Sequence, residues 1–160
     1  MRTFIYSMIF FAFLSGPLLC QGVKEISPPE AFELVNDDDT YLIDVRTIAE
    51  YVFVGHPADA HSLPLLFWDE GGQTQVPNKD FLRDLTSRFK KEDTLVFICR
   101  SANRSLEAAR MALGAGFQKV FNVEEGFEGK KDEKGYRTIG GWKNRGLPYT
   151  YELNEKFTYR

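Results

Sequence analysis

The sequence predicts an α/β domain on a largely parallel sheet, and three observations carry that prediction. Tyr41-Leu42-Ile43-Asp44-Val45 and Thr94-Leu95-Val96-Phe97-Ile98 are short apolar runs of the kind that form strands buried on both faces. Stretches with helical spacing of apolar residues lie between these runs, and strands alternating with helices read as crossover units. The 160 residues suit one domain with a sizeable core, and 43% hydrophobic with 27% charged residues is the balance of a soluble globular chain.

The elements follow in order. Arg2 is the only charge before Lys24, Phe4 to Leu14 is apolar apart from Ser7, and Ser15-Gly16-Pro17 breaks the pattern. This reads as a signal peptide over residues 1–22, because the apolar stretch is shorter than the roughly 20 residues that a bilayer span requires. Cleavage falls after Gly22, with Cys20 nearly as good. The chain is therefore expected to be exported, to the periplasm or outside the cell, with a retained membrane anchor as the alternative. Residues 23–160 are expected to form a single domain that does not contact the membrane after cleavage.

Ser27-Pro28-Pro29-Glu30 combines an N-cap serine, prolines in the first turn and a glutamate at the capping-box position, so a helix should run from there through Val35. The acidic turn Asn36-Asp37-Asp38-Asp39 leads into the first buried strand. A short helical stretch around Thr47 to Tyr51 precedes Gly55-His56-Pro57, a turn into a short strand near Ala60 to Leu63. Asn78 is placed to cap a helix whose Phe81, Leu82, Leu85 and Phe89 share one face. After the second buried strand, Leu106, Ala109 and Leu113 mark a helix that stops at Gly114 and Gly116, and Val120-Phe121-Asn122-Val123 is a further strand.

The formal net charge is −3, so no cationic field exists to attract nucleic acid or an anionic membrane surface. Any anion site must be local. Loss of the leader would remove Cys20 and leave Cys99 without a disulfide partner, which in an exported chain favours a chemical role for the thiol. Cys99 opens the loop Cys99-Arg100-Ser101-Ala102-Asn103-Arg104-Ser105, directly after a buried strand and before a helix. Ligands of such sheets bind beyond the carboxyl ends of the strands, where a helix amino terminus also favours an anion. Arg100 and Arg104 add positive charge, and the hydroxyls of Ser101 and Ser105 and the amide of Asn103 either donate to the same centre or cap the helix. Cys99 is thus the candidate nucleophile, expected to be partly exposed, with residues 100–105 as its substrate-binding surround. Asp44 and Arg46, at the end of the neighbouring strand, are expected to support the loops as a salt bridge, with Glu50 as a further brace. His61 has no histidine or cysteine at metal-ligand spacing, and Asp132 and Glu133 sit among lysines, so neither a metal nor a cofactor is expected.

At this point the chain resembles the rhodanese family of sulfurtransferases, in three places. Leu42-Ile43-Asp44-Val45-Arg46 followed by Glu50-Tyr51 and Gly55-His56-Pro57 is similar to the family's opening signature. Cys99 to Arg104 is similar to its six-residue cradle, cysteine-x-x-glycine-x-arginine. Gly141-Trp142 with Gly146-Leu147-Pro148 is similar to its closing helix and exit. The resemblance implies a five-stranded, mostly parallel sheet flanked by helices on both faces. It also implies a reaction in which Cys99 takes sulfur from a small anionic donor such as thiosulfate and passes it, as a persulfide, to a thiol, cyanide or protein acceptor.

The chain departs from the pattern twice. Ala102 stands where the family has glycine, and a left-handed backbone there would cost about 1–2 kcal/mol. Phe127 to Ile139 is an extra charged loop, read either as solvated surface or as a lid or partner contact near the site. Two other functions compete with sulfur transfer: a binding or sulfur-sensing module that keeps the fold without catalysis, and a phosphatase. Phosphatase loops of related folds place one more residue between cysteine and arginine than the four found here.

Overall fold

The computed structural model describes residues 22–160, and the signal peptide expected over residues 1–22 lies outside them except for Gly22. The central sheet has five strands: β1 (Lys24–Ile26), β2 (Thr40–Asp44), β3 (His61–Ser62), β4 (Thr94–Ile98) and β5 (Lys119–Val123). Their order across the sheet is β1-β5-β4-β2-β3, and every neighbouring pair is parallel. The helices are α1 (Pro28–Leu34), α2 (Ile48–Phe53), α3 (Phe81–Arg88) and α4 (Asn103–Gly114). This is the α/β architecture expected from the sequence, with β1 as a strand that periodicity did not reveal because it spans only three residues.

Local chemistry accounts for the helix ends. The Glu30 carboxylate accepts from the Ser27 backbone N–H at 2.8 Å and from its hydroxyl at 2.6 Å, which fixes the start of α1. The helix before β4 begins differently from its expectation: Asp80 rather than Asn78 occupies the cap position. Asn78 is instead a brace between segments, donating to the Pro64 carbonyl at 2.9 Å and accepting from the Asp80 N–H at 3.0 Å. Phe67 and Trp68 lie in a two-stranded ribbon, Leu66–Trp68 against Gln75–Pro77, where Trp68 is exposed.

The sheet is covered on both sides. One apolar cluster joins Ile43, Leu95, Phe97 and Cys99 to Phe81 and Leu85 of α3 and to Ala108, Ala109 and Ala112 of α4. The other joins Leu42, Val96 and Ile98 to Ala31 of α1 and to Phe127 and Trp142. Burial on both faces explains why β2 and β4 are apolar without alternation. Strand β3 stands at the edge, and there the Ser62 N–H donates to the Phe157 carbonyl at 2.7 Å, so the carboxyl-terminal segment covers part of the open strand.

The chain leaves β2 outward to β3 and then returns to β4 on the other side of β2. The connections therefore part between β2 and β4. Such a reversal opens a crevice at the carboxyl ends of the two strands, and the residues that follow them are Val45-Arg46 and Cys99.

Candidate active site

Strand register sets the first relation in the site. Asp44 pairs with Ile98, and the Val45 N–H donates to the Ile98 carbonyl at 3.0 Å, so Asp44-Val45-Arg46 and Cys99 leave the sheet side by side. From Cys99 the chain winds through four residues into α4, and the Ser105 hydroxyl comes back to within 3.3 Å of the Cys99 Sγ. The same hydroxyl donates to the Ala102 carbonyl at 3.0 Å. It has one proton for two acceptors. A thiol can give its own proton to Ser105, whereas a thiolate draws the Ser105 proton to itself.

The backbone N–H groups of residues 100–105 have no acceptor among the described residues. These are donors of a tight loop and of the first turn of a helix, the arrangement that favours a negative charge. Within the loop, Ser105 alone of the expected polar contacts bonds Cys99; Ser101 and Asn103 make no side-chain hydrogen bond among the described residues. Cys99 itself is 1% exposed, a correction to the partial exposure expected from its position. It packs with Phe97, Ala108 and Ala109 because its side chain follows the sheet face that α4 covers.

Ala102 has φ +74° and ψ −19°, so the loop does require a left-handed residue here. The methyl group is carried in a conformation that glycine would enter freely.

Two arginine–carboxylate pairs stand beside the loop. Arg46 binds Asp44 with Nε 2.9 Å from Oδ1 and Nη2 2.6 Å from Oδ2, and Nη2 also donates to the Gly55 carbonyl at 2.7 Å. Both side chains are fully buried. The Arg46 guanidinium lies 4.3 Å from the Phe127 ring centroid, and burial, which opposes its charge, is outweighed by Asp44 so that the charge is retained. Arg104 donates from Nη1 and Nη2 to the two Glu50 oxygens, each at 2.7 Å. Glu50 also accepts from the Thr47 N–H at 3.1 Å and from its hydroxyl at 3.0 Å, which caps α2. Burial alone would raise the Glu50 carboxyl, but Arg104 and Thr47 together bring it down to about 2. Asp44, Arg46 and Glu50 are thus braces, as the sequence led us to expect, and Arg104 is itself braced.

The extra loop of residues 127–139 is mostly exposed from Lys130 onward, as the solvated-surface reading expected. Its root is core: Phe127 is fully buried, its N–H donates to the Cys99 carbonyl at 2.7 Å, and the Glu128 N–H donates to the Arg100 carbonyl at 3.0 Å. Gly126 allows this approach, since a Cβ there would lie 2.7 Å from the carbonyl oxygens of Cys99 and Arg100. The remainder folds as a ribbon, Lys130–Lys131 against Arg137–Ile139. Gly129 crosses the backbone of Gly140 too closely for any side chain, and the Asn144 amide donates to the carbonyls of Glu128, Arg137 and Gly140 across the crossing. A cavity of about 250 Å³, lined among others by Phe32, Thr40, His61 and Phe157, lies toward the amino ends of the strands and shares no lining residue with the Cys99 loop.

A buried thiol at the sheet's switch point, a six-residue loop of unspent amides and a helix amino terminus behind it define a Rhodanese-like domain. The model of that family matches residues 27–133, and the chain belongs to the family. Among its relatives is an uncharacterized protein of Rickettsia rickettsii, the RP600 homolog, 32% identical over 135 residues that cover 81% of this chain and 99% of that one. Thiosulfate sulfurtransferase 16, chloroplastic, of Arabidopsis thaliana is 30% identical, with 78% of this chain and 91% of that one covered. The crystal structure of Rv0390 from M. tuberculosis is 34% identical with a TM-score of 0.71, covering 82% of this chain and all of that one.

Proposed function

We propose that this chain is a sulfurtransferase that carries sulfane sulfur on Cys99. The Cys99 thiolate attacks the outer sulfur of a donor such as thiosulfate, the S–S bond breaks, and its electron pair leaves with sulfite. A nucleophilic acceptor then attacks the terminal sulfur of the persulfide and restores the thiolate. Cyanide would leave as thiocyanate; a thiol or protein acceptor would leave as a persulfide.

The observation that carries this reading is the closure of residues 100–105 around the thiol, with the Ser105 hydroxyl 3.3 Å from Sγ and the loop amides unpaired among the described residues. Hydrogen-bond donors fixed in advance favour the anionic forms of the cycle, thiolate and persulfide, without reorganisation at the moment of reaction. Kinship with an Arabidopsis protein named as a thiosulfate sulfurtransferase supports the same class of chemistry. The test is the intact mass of the purified chain after thiosulfate treatment. The expected result is a gain of one sulfur atom that cyanide removes as thiocyanate and that Cys99→Ser never acquires; no adduct and no thiocyanate would overturn the proposal.

A further inference from the structure

We propose that the site takes singly charged sulfane-sulfur donors in preference to the thiosulfate dianion, and that Glu50 sets this preference by holding Arg104. The inference rests on the sulfurtransferase reading above.

Three arginines stand beyond the carboxyl ends of β2 and β4, and two of them are already spent. Arg46 is neutralised by Asp44 with both side chains fully buried. Arg104 is held by both oxygens of Glu50, in a pair whose side chains are each 16% exposed. From the position of the sulfur each pair is a dipole rather than a charge. Arg100 is exposed and has no carboxylate partner among the described residues. Glu128, whose N–H bonds the Arg100 carbonyl and whose charge reaches Arg46, brings a negative charge to the same rim. A thiolate, Arg100 and Glu128 sum to one net negative charge; Lys143, the other cation near Phe127, donates to the Val54 carbonyl and the Tyr151 hydroxyl. A dianion approaching that net charge meets about twice the repulsion that a monoanion of the same size meets. The loop amides contribute only partial charges, which offset one negative charge more readily than two.

Glu50 is the residue that decides this, because it binds both terminal nitrogens of Arg104, the arginine whose charge reaches Cys99. It acts through Arg104, so it is a positioning residue. Glutamine at position 50 retains an oxygen for the Thr47 cap while removing the charge.

Methanethiosulfonate, CH3SO2S−, and thiosulfate differ by one charge and little in size. With the first, the Cys99 thiolate attacks the terminal sulfur, the S–S bond breaks, methanesulfinate leaves with the electron pair, and the Cys99 persulfide anion remains. With the second, the same step releases sulfite. The experiment measures kcat/KM of the full chain for both donors with cyanide as acceptor, each divided by that donor's rate constant with free cysteine. The native chain is expected to favour methanethiosulfonate by about tenfold. Glu50→Gln should bring the ratio toward one by raising thiosulfate turnover, and Glu50→Asp, which restores the charge, should return it toward the native value. Equal corrected values in the native chain, or a native ratio in Glu50→Gln with unchanged circular dichroism, overturns the inference while leaving sulfur transfer standing. Failure of both donors to leave sulfur on Cys99 overturns the sulfurtransferase reading and this inference with it.

Discussion

The two arginine–carboxylate pairs beside the Cys99 loop have similar bidentate geometry and different work. Asp44 and Arg46 are two residues apart on one segment, fully buried, and tie the end of β2 to the Gly55 carbonyl and the Phe127 ring. Glu50 and Arg104 are 54 positions apart, partly open to solvent, and join the start of α2 to the Cys99 loop. The first pair holds the frame; the second ties the Cys99 loop to it. Depth is the physical difference. A buried charge that loses its partner has no water to turn to, whereas a partly open one does.

Breaking each pair should expose that difference. Asp44→Ala strands the Arg46 guanidinium in the interior and is expected to cost about 3–5 kcal/mol in urea unfolding. Glu50→Gln, by contrast, should cost less, about 1–3 kcal/mol, because the stranded Arg104 is partly open to water. A loss of equal size in both variants would contradict the assignment of frame and site.

Acid should separate the open pair from other titrating groups. The His61 ring sits among Tyr41, Phe89 and Phe157, and burial first, then Arg88 and Lys156, lower its pKa from 6.5 to about 4, with Asp59 opposing. Between those values the unfolded chain binds the proton and the folded chain does not, so stability falls as pH drops from 6.5 to about 4. His61→Phe should reduce that slope, and His56, also lowered by burial, contributes the rest. Glu50, lowered from 4.5 to about 2, contributes stability that is present above 4.5 and is lost as pH falls toward 2. Urea midpoints across pH should therefore show a second decline that Glu50→Gln reduces and His61→Phe does not, the lowered Glu30, Asp69, Asp84, Glu125 and Asp132 contributing the rest.

The smallest effect concerns the loop that the open pair holds. Ala102→Gly relieves the left-handed alanine and should raise stability by about 1 kcal/mol. The same substitution in the Asp44→Ala background should add independently, since Ala102 belongs to the Cys99 loop and Asp44 to the frame.

Much of this was legible in the chain. Two apolar runs announced β2 and β4, and the position of Cys99 after the second placed it at the functional edge of the sheet. Asp44 and Arg46 could be read as a brace because they are close in sequence. Glu50 was read as a brace too, but its partner could not be named: the bond to Arg104 depends on how α2 and the loop meet in space. The three-residue β1 was invisible because so short a run carries no period. The loop of residues 127–139 read as charged surface or as a lid or partner contact, and most of it is surface; nothing in its composition says that Phe127 is core or that Gly129 and Gly140 cross.

Sequence by itself determined the class of fold and set Cys99 at the end of a buried strand as the candidate nucleophile, because these follow from local patterns of burial and spacing, while the resemblance to the family marked position 102. Tertiary structure alone decided how much charge the site presents. Arg104 looks like a free cation in the chain and is half of a neutral pair in the fold, because electrostatics depends on distances between residues that the linear order leaves far apart.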